Sequence, residues 1–534
     1  MISRRDIIKA GLAAGAASSM PAIVRAQTAP TAARTVRMVL GYPLVAFDPV
    51  FTTSDTTQDH GLAIYDTLFS VDSKGVPQPQ MVGKWGVSSD SKTYTFELRD
   101  GLAWHDGTPV TAADCVASIR RWAQVNPSGR LMMERARDIS KKDDRTFTIA
   151  LKEPLGLLIE ILASETSAPL FIMREKDASR PPNEQVTANI GSGPFRFNEA
   201  LARPGQSFTY DRNVNYVPRK EWPDGSAGGK AVKIDRVVWD SMPDQQTAVA
   251  ALQAGEIDFM ENPPVDLYPL IESDPNLAFQ LLNTAGYIWF LRMNFLQKPF
   301  DNVKVRQAML HLVNQDAYMQ AAIGNPKYSR PTTSLFGSGS LYTNNENTGW
   351  YKKNGDPETA RRLFKEAGYA GEKVVILQQT DNKQASNICE LTAQSLRSIG
   401  VNVELASGDR SAFVKRRAIR APAREGGWSI FMGPWDAGSF DDPIGCDLIL
   451  ANGDKAWIGW PKNDEYEALR TQWPDTKSPE ERKALARKMQ KVWWDFVGTV
   501  YLGESVQPAA HRKSLSGFVV ERSHYVKMWN LQKA

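Results

Sequence analysis

The segment of residues 64–122 limits the possible folds most strongly, because a strand, a tight turn and a helix start follow one another within it. Residues 93–98, Thr-Tyr-Thr-Phe-Glu-Leu, place every second apolar side chain on one face, as a half-buried strand requires. Residues 105–109, His-Asp-Gly-Thr-Pro, predict a turn, because glycine tolerates positive φ and proline cannot extend a strand ladder. Thr111 lies three residues before Asp114 and ahead of an apolar-periodic run, which predicts a capped helix.

Length and composition indicate a globular protein with more than one domain. The 534 residues suffice for two or three domains, since a single core rarely grows beyond about 250–300 residues. With 42% hydrophobic and 23% charged residues, the composition is that of an ordinary soluble chain. The net charge is only +4, and no basic stripe is interleaved with stacking aromatics, so we predict no nucleic-acid partner. The 15 tryptophans suit both a core and a cleft that closes on a ligand.

The N-terminus has the features of an export signal. Residues 3–9, Ser-Arg-Arg-Asp-Ile-Ile-Lys, resemble the twin-arginine motif, with Ile7 where phenylalanine is commonest. A run of small and apolar residues follows, and the small residues before Gln27 predict cleavage after Ala26. A membrane anchor needs about 20 uninterrupted apolar residues, and Lys9 and Pro21 leave fewer between them. We therefore expect a mature protein outside the cytoplasm, in the periplasm if the cell has two membranes.

No pattern in the sequence predicts catalysis or metal binding. The cysteine spacings match no zinc site, and they leave either three buried thiols or one disulfide and one free thiol among Cys115, Cys389 and Cys446. The histidines are scattered without paired ligand spacing, at His60, His105, His311, His511 and His524. Residues 191–193, Gly-Ser-Gly, lack the Gly-x-Ser-x-Gly elbow, so we interpret them as a turn. We predict no enzyme, no cofactor and no metal.

Several further motifs occur along the chain in a specific order. They are Phe-Asp-Pro at 47–49, Trp-His-Asp-Gly at 104–107, Gly-Ser-Gly-Pro-Phe at 191–195, Arg-Asn-Val-Asn-Tyr at 212–216, Gly-Glu-Ile-Asp at 255–258 and Pro-Phe-Asp-Asn with Val-Arg-Gln-Ala at 299–308. Together they resemble the signature of the extracytoplasmic solute-binding proteins of family 5, the peptide and oligopeptide receptors of ABC importers. The resemblance extends from near the start of the mature chain to near its C-terminus.

The resemblance implies an α/β fold with two lobes, the type II periplasmic-binding-protein fold with an extra subdomain inserted in the first lobe. The alternation of strands and helices in both halves agrees with it. The expected divisions are a signal peptide at 1–26, the first lobe at 27–70 and 189–293, the inserted subdomain at 71–188, the second lobe at 294–500 and a return to the first lobe at 501–534. Such lobes can rotate about crossing strands and enclose a ligand.

The resemblance also implies where a ligand binds. The Gly, Pro and Asp content of residues 431–443 predicts a loop of the second lobe beside the ligand. The expected contacts are the polar Thr52 and Thr53, the cleft aromatics Tyr287 and Trp289, and the loop residues Trp435, Asp436 and Ser439. Each aromatic taken alone is equally well explained by core packing.

One position departs from the family pattern. Peptide receptors of the family have an aspartate four residues before the proline of this loop, where it pairs with the α-ammonium of the ligand. This chain has Ser439 at that distance from Pro443. Losing such a charge-assisted bond costs a peptide ligand roughly 1.5–3 kcal/mol. Either Asp436 takes over through a shifted loop, or the ligand lacks an ordinary free amino end.

We therefore predict the substrate-binding receptor of an ABC importer. It captures a peptide-like or other small polar solute outside the cytoplasm and delivers it, as a monomer, to a permease in the membrane. Two alternatives remain open. A secreted hydrolase requires turnover that depends on Ser192 or His105, and a periplasmic chaperone-like protein requires binding of unfolded chains without closure.

Overall fold

The structure, a computed structural model, describes residues 30–165, 168–476 and 478–534. The predicted export signal at 1–26, with its cleavage point after Ala26, lies outside the described residues. Among the residues that are described, no helix has both the length and the apolar character needed to cross a membrane. The chain forms an α/β fold with three larger sheets, which belong to two lobes and a subdomain inserted in the first lobe.

The sheet of the first lobe has seven strands that come from widely separated parts of the chain. Its central strand, Thr35–Val39, pairs in parallel with strands on both sides, while the outer pairs are antiparallel. Across the sheet the strands are Phe195–Phe197, Ser207–Arg212, Arg236–Asp240, Thr35–Val39, Phe259–Met260, Ala509–Arg512 and Leu277–Gln280. The C-terminal part of the chain thus returns to the first lobe.

The sheet of the second lobe has six strands. Tyr287–Met293 lies near its centre and pairs antiparallel with a neighbour on each side. The order across the sheet is Ser329–Arg330, Val500–Ser505, Tyr287–Met293, Ile430–Asp436, Val374–Gln379 and Val403–Gly408. The chain therefore passes between the two sheets before Tyr287 and again after Ser505. The expected domain limit at 293 falls at the end of the strand Tyr287–Met293, and the limit at 500 falls at the start of the strand Val500–Ser505. All the expected domain limits stay predictions.

The inserted subdomain contains an antiparallel sheet of four strands. Their order is Val82–Val87, Thr93–Leu98, Thr146–Leu151 and Ala136–Lys141. Three short pairs complete the strands, namely Asp66–Thr67 with Phe171–Ile172, Phe69–Val71 with Pro77–Pro79, and Leu515–Ser516 with Gln532–Lys533.

The α-helices pack against these sheets. They are Asp55–Ile64, Ala112–Trp122, Pro127–Arg135, Leu158–Ala163, Glu175–Ala178, Gln245–Ala254, Tyr268–Ser273, Val303–Leu312, Gln315–Ala322, Pro357–Glu366, Lys383–Ser398, Arg410–Arg417, Asp464–Arg470 and Pro479–Phe496. Two apolar cores lie against the first sheet, and a third runs continuously from the inserted sheet into the second lobe. All three cysteines are free and buried. Of the two options that their spacing left open, the structure therefore shows three buried thiols and not one disulfide with one free thiol.

Local predictions near the inserted sheet are confirmed. The strand Thr93–Leu98 has the predicted bounds, and the helix Ala112–Trp122 begins with a capping box. In that box, the carboxylate of Asp114 accepts hydrogen bonds from the backbone nitrogen and the hydroxyl of Thr111, at 2.7 and 2.9 Å. Gly107 has φ of 88°, the left-handed value that the predicted turn requires.

The prediction of a loop throughout 431–443 is wrong in its first half. Ile430–Asp436 is a strand, and all seven of its residues pair with Tyr287–Met293. On its other side it pairs with the neighbouring strand only at Ile430, so most of that edge has no ladder. A proline such as Pro434 is tolerated where one edge of a strand is unpaired. Irregular structure begins only at the 3-10 helix Ala437–Asp441.

A buried ion pair ties the opening motif of the first lobe to the inserted subdomain. Asp48 accepts both arms of the Arg121 guanidinium, at 3.0 Å from Nη1 and 2.6 Å from Nη2. Its oxygens also accept the backbone N–H groups of Val50 and Val186. Arg121 in turn donates to the carbonyl oxygens of Arg180 and Glu184, so one side chain also fixes the segment that leads back to the first lobe.

We expect Asp48→Asn to lower the free energy of unfolding by about 3–5 kcal/mol, because it leaves the buried Arg121 charge without its carboxylate. Urea unfolding followed by circular dichroism measures the effect. Asp235→Asn is a matched control, since Asp235 forms the same two-armed pair with Arg34 at the surface. The control should cost less than about 1 kcal/mol. Equal losses in the two variants would contradict the role given to the buried pair.

Candidate functional site

A cavity of about 170 Å³ lies where the inserted subdomain, the second lobe and the C-terminal segment meet. We refer to it as the interlobe cavity. Its apolar wall comes from both sides of the junction and includes Leu157, Ile161, Leu341, Tyr342 and Trp473. Its charged side chains include Lys74, Glu160, Glu165, Asp436, Asp441, Asp442, Arg522 and His524. A site of this kind, apolar with a few convergent polar groups, is typical of small-molecule binding.

Asp436 reaches the cavity from the end of the central strand pair of the second lobe. It is directly opposite Tyr287 in the sheet register, and it caps the 3-10 helix that follows. Its Oδ2 accepts the backbone N–H of Ser439 at 2.9 Å, and its Oδ1 lies 3.4 Å from Nδ1 of His524. The carboxylate is therefore held in place by its own loop on one side and faces the C-terminal segment on the other.

His524 bridges the two lobes. Its Nε2 lies 3.2 Å from Asp55 in the first lobe, and its Nδ1 faces Asp436 in the second. Burial lowers the pKa of His524, but the carboxylates of Asp436 and Asp55 outweigh burial and raise the pKa to about 10. The imidazole is therefore positively charged at neutral pH and links two carboxylates that would otherwise repel each other.

Arg522 provides a second link between the C-terminal segment and the second lobe. Its Nε donates to Asp441 Oδ2 at 2.8 Å, and its Nη1 donates to the carbonyl oxygen of Ser338 at 3.0 Å. The other oxygen of Asp441 accepts the hydroxyl of Ser340. Burial raises the pKa of Asp441, although Arg522 and Ser340 act to lower it.

At the edge of the cavity, Lys527 and Glu521 of the C-terminal segment form a cluster of largely buried ionisable groups with Glu165 of the inserted subdomain. Lys527 Nζ lies 3.0 Å from Glu165 Oε2 and also contacts Glu521. Burial and the neighbouring Glu165 raise the pKa of Glu521 to about 7. Ser226 donates its hydroxyl to Glu521 at 2.9 Å. One lysine therefore serves two carboxyl groups, and it joins the inserted subdomain to the C-terminal segment.

Direct contacts also join the inserted subdomain to the second lobe. Arg482 donates to Glu160 at 2.7 Å, and Arg135 pairs with Asp475. The Asp442 carboxylate accepts the hydroxyl of Ser128 at 2.6 Å. The described structure is accordingly a closed arrangement, in which the cavity is bounded from both sides.

The structure brings together some of the expected site residues. Asp436 lines the interlobe cavity, and Tyr287 lines a neighbouring space of about 30 Å³ that also contacts Glu261 and His524. Burial and the coulombic effect of Asp436 raise the pKa of Tyr287. These two cross-strand neighbours therefore both lie near His524, at the junction of the lobes.

Other expected site residues make contacts within the protein. Trp289 is buried and donates its indole N–H to the Ser505 hydroxyl at 2.9 Å. Trp435 donates to the Ser439 hydroxyl, which itself donates to the Asp436 carbonyl, so both stabilise the turn after the strand. Ligand contacts of Trp289, Trp435 and Ser439 therefore stay predictions. In the first lobe, Thr52 is half-buried and Thr53 is exposed, and their ligand contacts stay predictions as well.

Sequence reasoning missed the contribution of the C-terminal segment. Arg522 and His524 line the cavity, as do Tyr342 and Trp473 of the second lobe, which pack with ring centroids 4.7 Å apart. The polar run Glu-Arg-Ser-His at 521–524 interrupts an otherwise apolar segment. This run is the signal that could have identified Arg522 and His524. Nothing in the local sequence distinguishes the two aromatics from core residues.

The pair His105 and Ser192 lacks the geometry of a base and a nucleophile. Both ring nitrogens of His105 are occupied, because the Gly191 N–H donates to Nδ1 at 3.1 Å and Nε2 donates to the Gly193 carbonyl at 3.3 Å. Burial lowers the pKa of His105 to about 4. Within the described part of the chain, no group of three or more His, Cys, Asp or Glu side chains is arranged to hold a metal ion.

Comparison with known proteins identifies the family. Residues 76–457 match the sequence model of the bacterial extracellular solute-binding proteins, family 5. The chain belongs to this family. It is therefore an extracellular solute-binding protein, and the resemblance noted from its motifs is confirmed.

Individual relatives agree with this assignment. A probable peptide ABC transporter periplasmic-binding protein, y4tO of Sinorhizobium fredii, is 62% identical to this chain over 536 residues. The alignment covers 100% of both chains. The glutathione-binding protein GsiB of Escherichia coli is 26% identical, with 91% of this chain and 92% of GsiB covered.

Solved structures show the same fold. The putative peptide-binding protein AppA of Clostridium difficile superposes with a TM-score of 0.77 at 20% identity, covering 94% of this chain and 100% of AppA. A dipeptide-binding protein of Pseudoalteromonas in complex with Met-Leu gives a TM-score of 0.74 at 21% identity, with the same coverage. The predicted two-lobed fold with an inserted subdomain is confirmed.

We expect the stability contributed by His524 to decrease as the pH rises. Its pKa in the folded protein is raised to about 10, so the contribution is complete below the unfolded pKa of about 6.5 and is lost as the pH rises through 10. The difference in unfolding free energy between wild type and His524→Gln should therefore shrink by at least about 1 kcal/mol between pH 6.5 and 10. Denaturant unfolding at several pH values measures it.

His311→Gln is the control for this experiment. Burial lowers the pKa of His311, so this side chain is neutral throughout the upper part of the range. The difference between wild type and this variant should stay constant from pH 8 to 10. A constant difference for His524→Gln as well would show that its charge does not stabilise the closed arrangement.

Proposed function

We propose that this protein is the periplasmic receptor of an ABC importer, that it binds one compact, peptide-like polar solute in the interlobe cavity, and that it delivers the solute to a membrane permease as a monomer. Export through a cleaved twin-arginine signal belongs to the same proposal. The observation that carries it is the cavity itself, in which an apolar wall and charged groups converge at the junction of the lobes. Family membership and the names of the relatives support the transport role.

The size of the cavity favours a small solute. Pockets for drug-sized ligands measure about 300–1,000 Å³, and this one measures about 170 Å³ in the closed arrangement. A solute of amino-acid or dipeptide size fits a cavity of about 170 Å³ better than a long peptide does. The known ligand of one structural neighbour, the dipeptide Met-Leu, is consistent with such a size.

Binding without chemical change is the expected activity. The engaged nitrogens of His105 remove the clearest candidate base, and the comparisons do not favour a hydrolase or a chaperone. Native mass spectrometry of the mature protein tests this directly. One unchanged small molecule should be released per protein molecule. Accumulation of cleavage products from added dipeptides would contradict the proposal.

Asp436 is proposed to bind a cationic group of the solute, in place of the aspartate that the family has at the position of Ser439. Its carboxylate lines the cavity, and its Oδ1 has only the long contact to His524. Asn at this position can still accept the Ser439 N–H, so the cap of the 3-10 helix is preserved. The variant therefore tests charge rather than loop structure.

We expect Asp436→Asn to weaken the binding of a cationic solute about 10- to 100-fold, which corresponds to the loss of one charge-assisted hydrogen bond. Isothermal titration calorimetry with the solute identified by mass spectrometry measures the effect. Asp442→Asn is the matched control, because both oxygens of this cavity carboxylate already accept bonds, from Ser128 and from the Ile444 N–H. Unchanged affinity in Asp436→Asn would remove this residue from the site.

A further inference from the structure

The helix Arg410–Arg417 lies on the outside of the second lobe, and none of its residues is fully buried. Its inner side packs on the lobe, since the ring of Phe413 lies 6.0 Å from the ring of Phe431. Its outer side carries three exposed side chains, from Arg410, Val414 and Lys415. The helix therefore presents a face that combines positive charge with an aliphatic group to solvent.

Positive charge is concentrated in this helix and in the segment that follows it. Residues 409–425 contain six basic and two acidic residues, whereas the whole chain has 64 basic and 60 acidic residues. Of the six basic side chains, only Arg420 and Arg424 form an ion pair in the described part of the chain, with Asp454 and Glu425. An excess of positive charge therefore remains on this surface.

A second segment extends the same surface. Gln297 donates its side-chain amide to the carbonyl oxygen of Arg420 at 2.9 Å, which places its two exposed neighbours in sequence beside the end of the basic run. We call the combined surface the basic patch. Its exposed basic side chains are Lys298, Arg410, Lys415, Arg420 and Arg424, and its exposed aliphatic side chains are Leu296, Val414 and Ile419.

The basic patch begins at the junction of the lobes. The backbone N–H of Arg410 donates to Asp381 Oδ2 at 3.1 Å, and Asp381 lines an open groove between the lobes. In the same groove, Lys383 Nζ lies 3.9 Å from Asp266 Oδ2 of the first lobe. A receptor that delivers a solute must bring the opening between its lobes to the permease, so the patch then lies beside the membrane.

We propose that the basic patch binds the anionic headgroups of a phospholipid membrane. Basic side chains are attracted to an anionic leaflet, and aliphatic side chains between them enter the interfacial layer. The cations come from two separate segments and are interleaved with aliphatic groups. A fluid headgroup layer matches such an arrangement without fixed partner positions, whereas an acidic protein loop needs complementary spacing.

The lipid binding goes beyond the proposed function, because none of the patch residues lines the interlobe cavity. Only the orientation of the patch toward the membrane rests on that function. Binding of lipid holds the receptor near the membrane that contains its permease, whether or not a solute is bound. The range that the protein must search for the permease is thereby reduced.

Flotation of the mature protein with lipid vesicles tests the proposal. Vesicles of phosphatidylcholine alone are compared with vesicles in which half of the lipid is phosphatidylglycerol. The protein should partition about 10- to 100-fold more strongly into the anionic vesicles at about 50 mM NaCl. Raising NaCl to about 300 mM should remove most of this preference, because salt screens exposed charges.

A charge-reversal variant and a matched control assign the binding to the patch. Lys415→Glu/Arg424→Glu should lower partition into the anionic vesicles at least about 10-fold. Both side chains are exposed, so the urea unfolding curve should stay unchanged. Lys142→Glu/Lys176→Glu is the control, because it makes the same change in net charge at two exposed lysines of the inserted subdomain. Its partition should fall less than about twofold.

Three results would overturn the proposal. They are equal partition of wild type into neutral and anionic vesicles, full binding by the patch variant, and an equal loss in the patch variant and the control. An acidic permease loop is the partner instead if wild type ignores anionic vesicles and the patch variant alone impairs solute uptake by cells. Native mass spectrometry of the patch variant should still release the same solute, so each of these failures leaves the proposed function intact.

Discussion

The buried pair of Asp48 and Arg121 connects the parts of the chain on which the rest of the structure depends. Asp48 belongs to the opening motif of the first lobe, and Arg121 lies on the principal helix of the inserted subdomain. The guanidinium also binds the carbonyl oxygens of the segment that returns to the first lobe. Because the Asp48 carboxylate and the Arg121 guanidinium are both buried, each is satisfied only if the other is in place. The inserted subdomain is thereby held in a fixed orientation, and it forms one wall of the cavity.

A second constraint lies beside this pair and explains why the family motifs are structural. The Gly-Ser-Gly turn passes so close to the first helix that a Cβ at Gly191 would lie 1.7 Å from the Ile64 carbonyl oxygen, and one at Gly193 would lie 2.6 Å from that of Tyr65. His105 stabilises the same turn, because both of its ring nitrogens form hydrogen bonds with the backbone of the turn. The motifs that identify the family thus position the inserted subdomain, and the interlobe cavity is lined by other residues.

The cavity forms where three separate segments bring opposite charges together. His524 and Arg522 of the C-terminal segment face Asp436 and Asp441 of the second lobe, and Lys527 faces Glu165 of the inserted subdomain. The contacts of His524 and Arg522 bridge the two lobes, which must separate when a two-lobed receptor opens, whereas Lys527 and Glu165 join the first lobe to its inserted subdomain. The side chains that join the two lobes, Asp436, Asp441, Arg522 and His524, therefore also line the interlobe cavity.

The sequence by itself determined the local elements and the family. The strand Thr93–Leu98, the turn at Gly107 and the capped helix that follows are set by period, left-handed glycine and capping, which depend on neighbours in the chain. Only the tertiary structure decided that Ile430–Asp436 is a strand, because its partner Tyr287–Met293 lies far away in sequence and overrides its Gly-Pro content. It also decided that Asp436 reaches the interlobe cavity while Trp289 packs in the core, and that Arg522 and His524 line the same cavity. Side chains that meet across lobes leave no periodic pattern in the sequence, since their proximity arises only when the separate sheets pack together.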